Sequence, residues 1–265
     1  MLRCMIMKRI FFIAAVTLSL CVSCKKEPIP GGGVVVPQKD TTLISQIQNG
    51  DFECWEGSGN ELEPCHWNSY MSADGTGLAF MAGKAQQVDS SSDVRPGSEG
   101  HYSVCVYARS VMGVVANGNL TTGRVYIGST SVQSKDNYNY SSCNSPDFHQ
   151  VLTARPDAIR FWAKFDCPDT AQYARMSAII HDRYNYRDPE VDDEASHAVG
   201  MAVLEFAAKS GGWYCYTVPF EYVNPTIQPK YILISFTTNR DAGKGSGKDR
   251  LYLDDVELLY AVQNR

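Results

Sequence analysis

The sequence predicts an all-β fold, an antiparallel β-sandwich of the jelly-roll type. Short runs with period-two alternation of apolar and polar side chains recur between residues 102 and 260, as expected of half-covered strands. Gly, Pro, Asn and Asp bound these runs, and none is spaced with helical patterns as βαβ units require. Fifteen tyrosines and ten phenylalanines supply side chains that suit a pleated, half-buried surface.

The elements follow in chain order. Residues 1–23 read as an export leader. Arg3, Lys8 and Arg9 give it a positive start, and Ile10 to Val22 is apolar apart from Thr17 and Ser19. That run is too short to span a bilayer comfortably. A buried N-terminal helix is the alternative, but the charge asymmetry suits export better. Ser23 directly before Cys24 resembles a lipobox, with lipid attached to Cys24 after cleavage; the place three residues earlier, usually Leu, holds Cys21. Residues 24–44 form the expected linker, with Pro28, Pro30, Gly31, Gly32, Gly33 and Pro37. Residues 45–265 are long enough for one large β domain. These features predict a lipid-anchored protein of the cell envelope, at the outer membrane of a Gram-negative bacterium.

The chain carries a net charge of −5, and losing the three basic leader residues brings it to −8. With no basic patch, nucleic acid is not an expected partner. Of nine cysteines, Cys4, Cys21 and Cys24 belong to the leader and anchor. The six in the domain are Cys54, Cys65, Cys105, Cys143, Cys167 and Cys215. Cys54 and Cys65 flank a glycine-bearing loop and form the one specific disulfide expected; the others read equally as small buried side chains. Zinc finds no CxxC pair in the domain, and His66 is the only histidine beside a cysteine.

Within the domain, Tyr102 to Arg109 and Ile159 to Phe165 alternate with period two. Trp213 to Phe220, Tyr231 to Thr237 and Leu251 to Tyr260 are further runs of strand composition. Asp192 to Lys209 is ambiguous: a helix with an acidic start and Gly211 as its stop, or a strand over Val199 to Phe206.

Several motifs punctuate these strands. Asn49-Gly50-Asp51-Phe52-Glu53 opens the domain, followed by Trp55 and Pro64-Cys65-His66-Trp67. Arg95-Pro96-Gly97-Ser98-Glu99-Gly100, Thr122-Gly123-Arg124 and Arg155-Pro156 follow. Trp213, Pro219-Phe220-Glu221-Tyr222 and Leu253-Asp254-Asp255-Val256 stand late in the chain. In this order the chain resembles the carbohydrate-metabolism domain family of surface lipoproteins in glycan-degrading bacteria. Its opening and closing motifs are also similar to galactose-binding-like jelly rolls, including calcium-bearing carbohydrate-binding modules. The resemblance implies that the first and last strands lie side by side, here Gly50–Glu53 against Leu251–Leu258. It implies a biology of carbohydrates without fixing an activity.

Candidate site residues come from chemistry. In the last run Tyr252, Val256, Leu258 and Tyr260 share one face by alternation, and Asp254 falls among them. A carboxylate there needs a cation or hydrogen-bond donors. One reading is a structural calcium held by Asp254 with Asp51 or Glu53; the other is a carboxylate bonded to backbone N–H groups or an arginine. Glycoside hydrolysis needs two placed carboxylates. Asp192, Asp193 and Glu194, in an acid-rich run with Asp188 and Glu190, are the candidates, against a plain solvated loop. Sugar binding calls for aromatic faces beside polar groups. Tyr138 and Tyr140 in Asn137-Tyr138-Asn139-Tyr140, and Tyr184, Tyr186 and Arg187 in Tyr184-Asn185-Tyr186-Arg187, have that composition, against ordinary loop tyrosines. Three functions remain open: glycan binding, glycoside hydrolysis, or a structural surface module. The missing carboxylate pair favours binding.

Overall fold

Alternation becomes strand almost wherever it is long enough to read. In the computed structural model the described residues are 41–43, 47–111, 113–152, 154–191, 193–209 and 212–261, all within the unit Lys39–Arg265. The leader, Cys24, most of the linker and Asp192 lie outside them. In chain order the strands are β1 (Thr41–Leu43), β2 (Trp55–Glu56), β3 (Glu63–Pro64), β4 (Asp74–Gly75), β5 (Val88–Ser91), β6 (Ser103–Tyr107), β7 (Arg109–Val111), β8 (Val114–Ala116), β9 (Asn119–Thr121), β10 (Arg124–Ile127), β11 (Asn137–Tyr140), β12 (Gln150–Val151), β13 (Ala158–Asp166), β14 (Tyr173–His181), β15 (Arg187–Asp188), β16 (Ala198–Ala207), β17 (Tyr214–Pro219), β18 (Tyr231–Thr237) and β19 (Arg250–Ala261). Among the described residues the single α-helix, α1, is Gly77–Gly83. The ambiguous stretch resolves as the strand β16.

Two antiparallel sheets make the sandwich. One runs β17-β13-β19-β6-β5, with β1 also on β19; the other runs β12-β18-β14-β16, with β9 on β18. Ile159, Phe161, Ala163 and Phe165 face inward from β13, and Val104 and Val106 from β6. Opposite them stand Ala174, Met176, Ala178 and Ile180 of β14 and Ile232, Ile234 and Phe236 of β18. The period of two selects these sets, and their apolar burial stabilises the sandwich.

The last strand corrects the expectation about its faces. Leu251 and Leu253 are buried with Val256 and Leu258, so the inward set changes parity partway along β19. The register against β13 steps from Arg160↔Glu257 to Trp162↔Asp254, a β-bulge, and Asp255 has φ +46°. Tyr252 therefore points away from the core and lies under the Lys164 ammonium, 4.2 Å from its ring centre.

The expected pairing of Gly50–Glu53 with the last strand also changes. Residues 49–52 form a turn, closed by Phe52 N donating to Asn49 O at 3.2 Å. Along that edge β19 pairs with Ser103–Tyr107 at one end and Thr41–Leu43 at the other. Gly50 bridges the space between, accepting from Val256 N at 2.8 Å, and a Cβ there would collide with the Val256 carbonyl. Thr41–Leu43, expected in the linker, is thus part of the sheet. The Asn49 side chain bonds Cys54 N, Cys54 O and Cys65 O, each at 2.9 Å. It so braces the Cys54–Cys65 disulfide, whose Cα atoms are 5.4 Å apart. Cys105, Cys143, Cys167 and Cys215 are free thiols.

A third sheet, β15-β11-β10-β4, covers the outer face of β14 and β18. Its seat is partly apolar, with Ile179, Leu233, Tyr186 and Ala198 clustered. The rest is polar and paired. Asn139 accepts from Asn119 Nδ2 at 2.7 Å and donates to Ser235 Oγ at 3.0 Å. Asp188 takes both terminal nitrogens of Arg175, at 2.9 and 3.1 Å, and the hydroxyl of Ser177. His181 beneath is fully buried and bonds Ser141 Oγ at 2.8 Å; burial lowers its pKa to about 4, so it is neutral.

Candidate functional site

The third sheet has an inner and an outer face, and its register fixes which residues share each. Tyr126 of β10 sits between Asp74 of β4 and Tyr138 of β11. One step along, Tyr140 of β11 sits between Arg124 of β10 and Arg187 of β15. Alternation puts these six side chains outward, while Val125, Ile127, Asn139 and Asp188 turn toward the body. The outward face floors an open cleft of about 660 Å³. Its walls include Cys143, Asn144, Arg183, Tyr184, Asn185 and Glu194.

Aromatic and charged groups support one another here. Tyr126 and Tyr138 stack at 4.9 Å between ring centres, and Tyr140 meets Tyr138 edge-on at 5.8 Å. The Arg187 guanidinium lies 4.8 Å from the Tyr138 ring centre, on the β15 side. Tyr138 is therefore held between Tyr126 and Arg187 and offers its edge and hydroxyl rather than an open face. Tyr184 differs. It stacks on His197 at 3.9 Å with planes 6° apart, and His197 Nδ1 is 2.9 Å from Asp182 Oδ2. Backed on one side, Tyr184 is a positioned platform for whatever enters the cleft. Burial raises the pKa values of Tyr138 and Tyr140, so their hydroxyls stay protonated near neutrality.

Both carboxylates of the cleft are engaged. Glu194 Oε1 accepts from Arg187 Nε at 2.8 Å and its Oε2 from Val191 N at 3.2 Å. The bond to Glu194 raises the Arg187 pKa and keeps it charged. Asp74 Oδ1 accepts from Gly75 N at 2.8 Å; its Oδ2 is 3.4 Å from Arg124 Nη1 and 3.5 Å from the Tyr140 hydroxyl. The strands bearing Asp74 and Arg187 are three spacings apart, about 14 Å. The two acids thus sit toward opposite ends of the face.

Of the expected sugar-binding residues, Tyr138, Tyr140, Tyr184 and Arg187 come together in this cleft. Tyr186 does not. It is fully buried beneath the sheet, its hydroxyl donating to Glu190 Oε2 at 2.6 Å, so it has no face to offer a ligand. Asn137–Tyr140, expected as a loop, is a strand, and that regularity aims both tyrosines outward. Of the expected acids, Glu194 enters the cleft wall, buried rather than in a solvated loop; Asp193 is exposed and outside the lining; Asp192 lies outside the described residues. Tyr126 and Asp74 complete the face without having been expected. Tyr126 stands between Val125 and Ile127 directly after Thr122-Gly123-Arg124, an apolar-flanked tyrosine that alternation could have placed, but Asp74 is set only by its parallel pairing with β10.

The expected calcium residues do not fit a cation. Glu53 Oε1 accepts from His101 N and Tyr102 N, each at 2.8 Å. Asp254 accepts from Arg95 N at 3.1 Å and Asp255 N at 2.9 Å. Asp51 is exposed, and among the described residues no group of three His, Cys, Asp or Glu side chains could hold a metal. The alternative reading of Asp254, a carboxylate bonded to backbone N–H groups, is the one observed.

No family model matches the chain, and no curated protein matches it. Solved structures are similar in fold. A Bacteroides thetaiotaomicron protein described as a putative glycoside hydrolase has TM-score 0.56 and 16% identity, over 84% of this chain and 72% of that one. A Bacteroides vulgatus protein described in the same words gives 0.47 and 13%, over 84% and 96%. A carbohydrate-binding module in complex with β-1,4-galactotriose gives 0.37 and 10%, over 83% and 99%. The likeness in fold rests on the first of these.

Proposed function

We propose that the protein binds glycans in the tyrosine-lined cleft of its third sheet, as a lipid-anchored module of the cell envelope. The observation that carries this reading is the convergence of Tyr126, Tyr138, Tyr140 and Tyr184 with Arg187 and Asn185 in one open cleft. Aromatic surface beside fixed hydrogen-bonding groups suits a pyranose, which has apolar faces and a polar rim. Tyr184 is the stacking surface in this reading. A shallow site of this kind binds at a dissociation constant on the order of micromolar to millimolar. Anchoring through Cys24, with the linker as tether, would let many copies retain one polymer together.

Hydrolysis is the second reading. Glu194 in the cleft wall favours it, as does the description of the Bacteroides thetaiotaomicron neighbour. Against it, both Glu194 oxygens already accept protein donors, and Asp74 stands far along the face. Those positions leave no evident acid–base pair about one sugar bond.

A glycan array and a reducing-sugar assay on the purified protein test both. Binding without sugar release is expected. Tyr184→Ala should weaken binding about tenfold, the loss of roughly 1.4 kcal/mol, and Asn144→Ala, an exposed change in the same cleft, should weaken it less. Release of sugar abolished by Glu194→Gln would install the hydrolase reading. Absence of both binding and release would leave a structural surface module.

A further inference from the structure

The hydrogen-bonding inventory of the cleft is lopsided. Its carboxylates are both partnered: each of the four oxygens of Asp74 and Glu194 takes a protein N–H or O–H. Asn185 is fixed with its carbonyl oxygen on Cys143 N at 2.9 Å, which leaves its NH₂ group as the free end. The Cys143 thiol is turned onto the Tyr184 carbonyl at 2.9 Å.

The donors are not spent. A guanidinium carries five N–H groups in a rigid fork. Arg187 uses Nε on Glu194 and keeps its terminal nitrogens. Arg183 is exposed at the cleft and has no hydrogen bond or ion pair among the described residues. Arg124, beside the cleft, pairs with Asp74, and Arg187 pairs with Glu194, so Arg183 is the cation of the lining that has no carboxylate partner among the described residues. A neutral sugar presents hydroxyls that both donate and accept, and it leaves the Arg183 charge without a counter-charge. A ligand group rich in acceptors and negatively charged matches what is offered, and bidentate recognition by a guanidinium is the strongest form of that match.

We infer that the cleft selects glycans carrying anionic groups, uronate carboxylates or sulfate esters, over neutral ones, with Arg183 and the free terminal nitrogens of Arg187 as the recognising donors. This rests on the glycan-binding reading and adds its substrate class. Affinity electrophoresis and calorimetry of the purified protein against polygalacturonate, a sulfated galactan and neutral β-1,4-galactan, at low and high NaCl, test it. Tighter retention by one or both anionic polymers is expected, weakened by salt and reduced about tenfold by Arg183→Gln. Retention by only one of the two identifies the anionic group. Neutral galactan held as tightly as the anionic polymers, or anionic retention indifferent to Arg183→Gln, would overturn the inference and leave glycan binding standing. No retention by any of them, together with a blank glycan array, would overturn both.

Discussion

Asp254 belongs to a strand whose alternation counts it with the core, and it is buried, but the bulge puts it there. Without the extra residue at Asp255, the set Tyr252, Asp254, Val256 would continue on one face. With it, Asp254 turns to the Arg95 loop and finds two backbone N–H donors. Asp254→Ala should cost about 1–3 kcal/mol by leaving those donors unmet, read in a urea melt. Burial first, and then the neighbouring Asp255 carboxylate, raise the Asp254 pKa to about 6, against the lowering effect of its backbone donors. In the unfolded chain the same group titrates near about 4. The folded state therefore holds a proton that the unfolded chain has already released between those values. The stability this contributes is complete below about pH 4 and is lost as pH rises through 6. Asp254→Asn should flatten the stability profile across that window; an unchanged slope would show that another group titrates there. Tyr184 and Tyr186 teach a related lesson. Both were legible as sugar-binding candidates by composition, yet a turn between them, Tyr186 N donating to Tyr184 O at 3.0 Å, sends one to the cleft and the other beneath the sheet. No period governs such a segment, so composition nominates residues there without assigning their side.

The elements most closely announced by alternation or composition were long ones. Ile159 to Phe165, read by its alternation, matches β13, and Tyr231 to Thr237 and Leu251 to Tyr260, read by their strand composition, match β18 and β19, because runs of seven or more residues leave room for either signal. The third sheet was not legible as a sheet. Its strands are two to four residues long, and one of its pairings is parallel. What gives such short strands a fixed place is their seat on β14 and β18, a tertiary fact with no local signature. Asp188 is the charged part of that seat. Asp188→Ala should leave Arg175 and Ser177 without their acceptor and destabilise the protein by about 3 kcal/mol. Because β15 carries Arg187, the same change should also weaken ligand retention before the protein unfolds. A stability loss with affinity intact would show that the cleft does not depend on how β15 is seated.

On the scale of the whole molecule, one covalent cross-link is observed and one covalent anchor is proposed. The Cys54–Cys65 disulfide closes a loop of sequence separation 11, and Asn49 holds that loop against the turn where Gly50 meets the last strand. Replacing both cysteines by serine should cost about 2–3 kcal/mol, chiefly by freeing the unfolded chain, and a thermal melt with and without reductant would read the same loss in the unaltered protein. Thr41–Leu43 is the most N-terminal described strand of the last strand's sheet. A domain that binds a polymer weakly gains most from being held at high local density on a surface, and this is what lipid on Cys24 would supply. A single acyl chain binds a membrane only marginally and a second makes the anchoring stable, since each buried methylene contributes about 0.8 kcal/mol. Cys24→Ala should therefore abolish fatty-acid labelling and move the protein from the membrane fraction to the soluble one, while the purified variant keeps its affinity for the glycan. Cells carrying that variant should retain far less polymer than cells carrying the native chain. Equal labelling of the two would place the lipid elsewhere, with Cys21 the next residue to change.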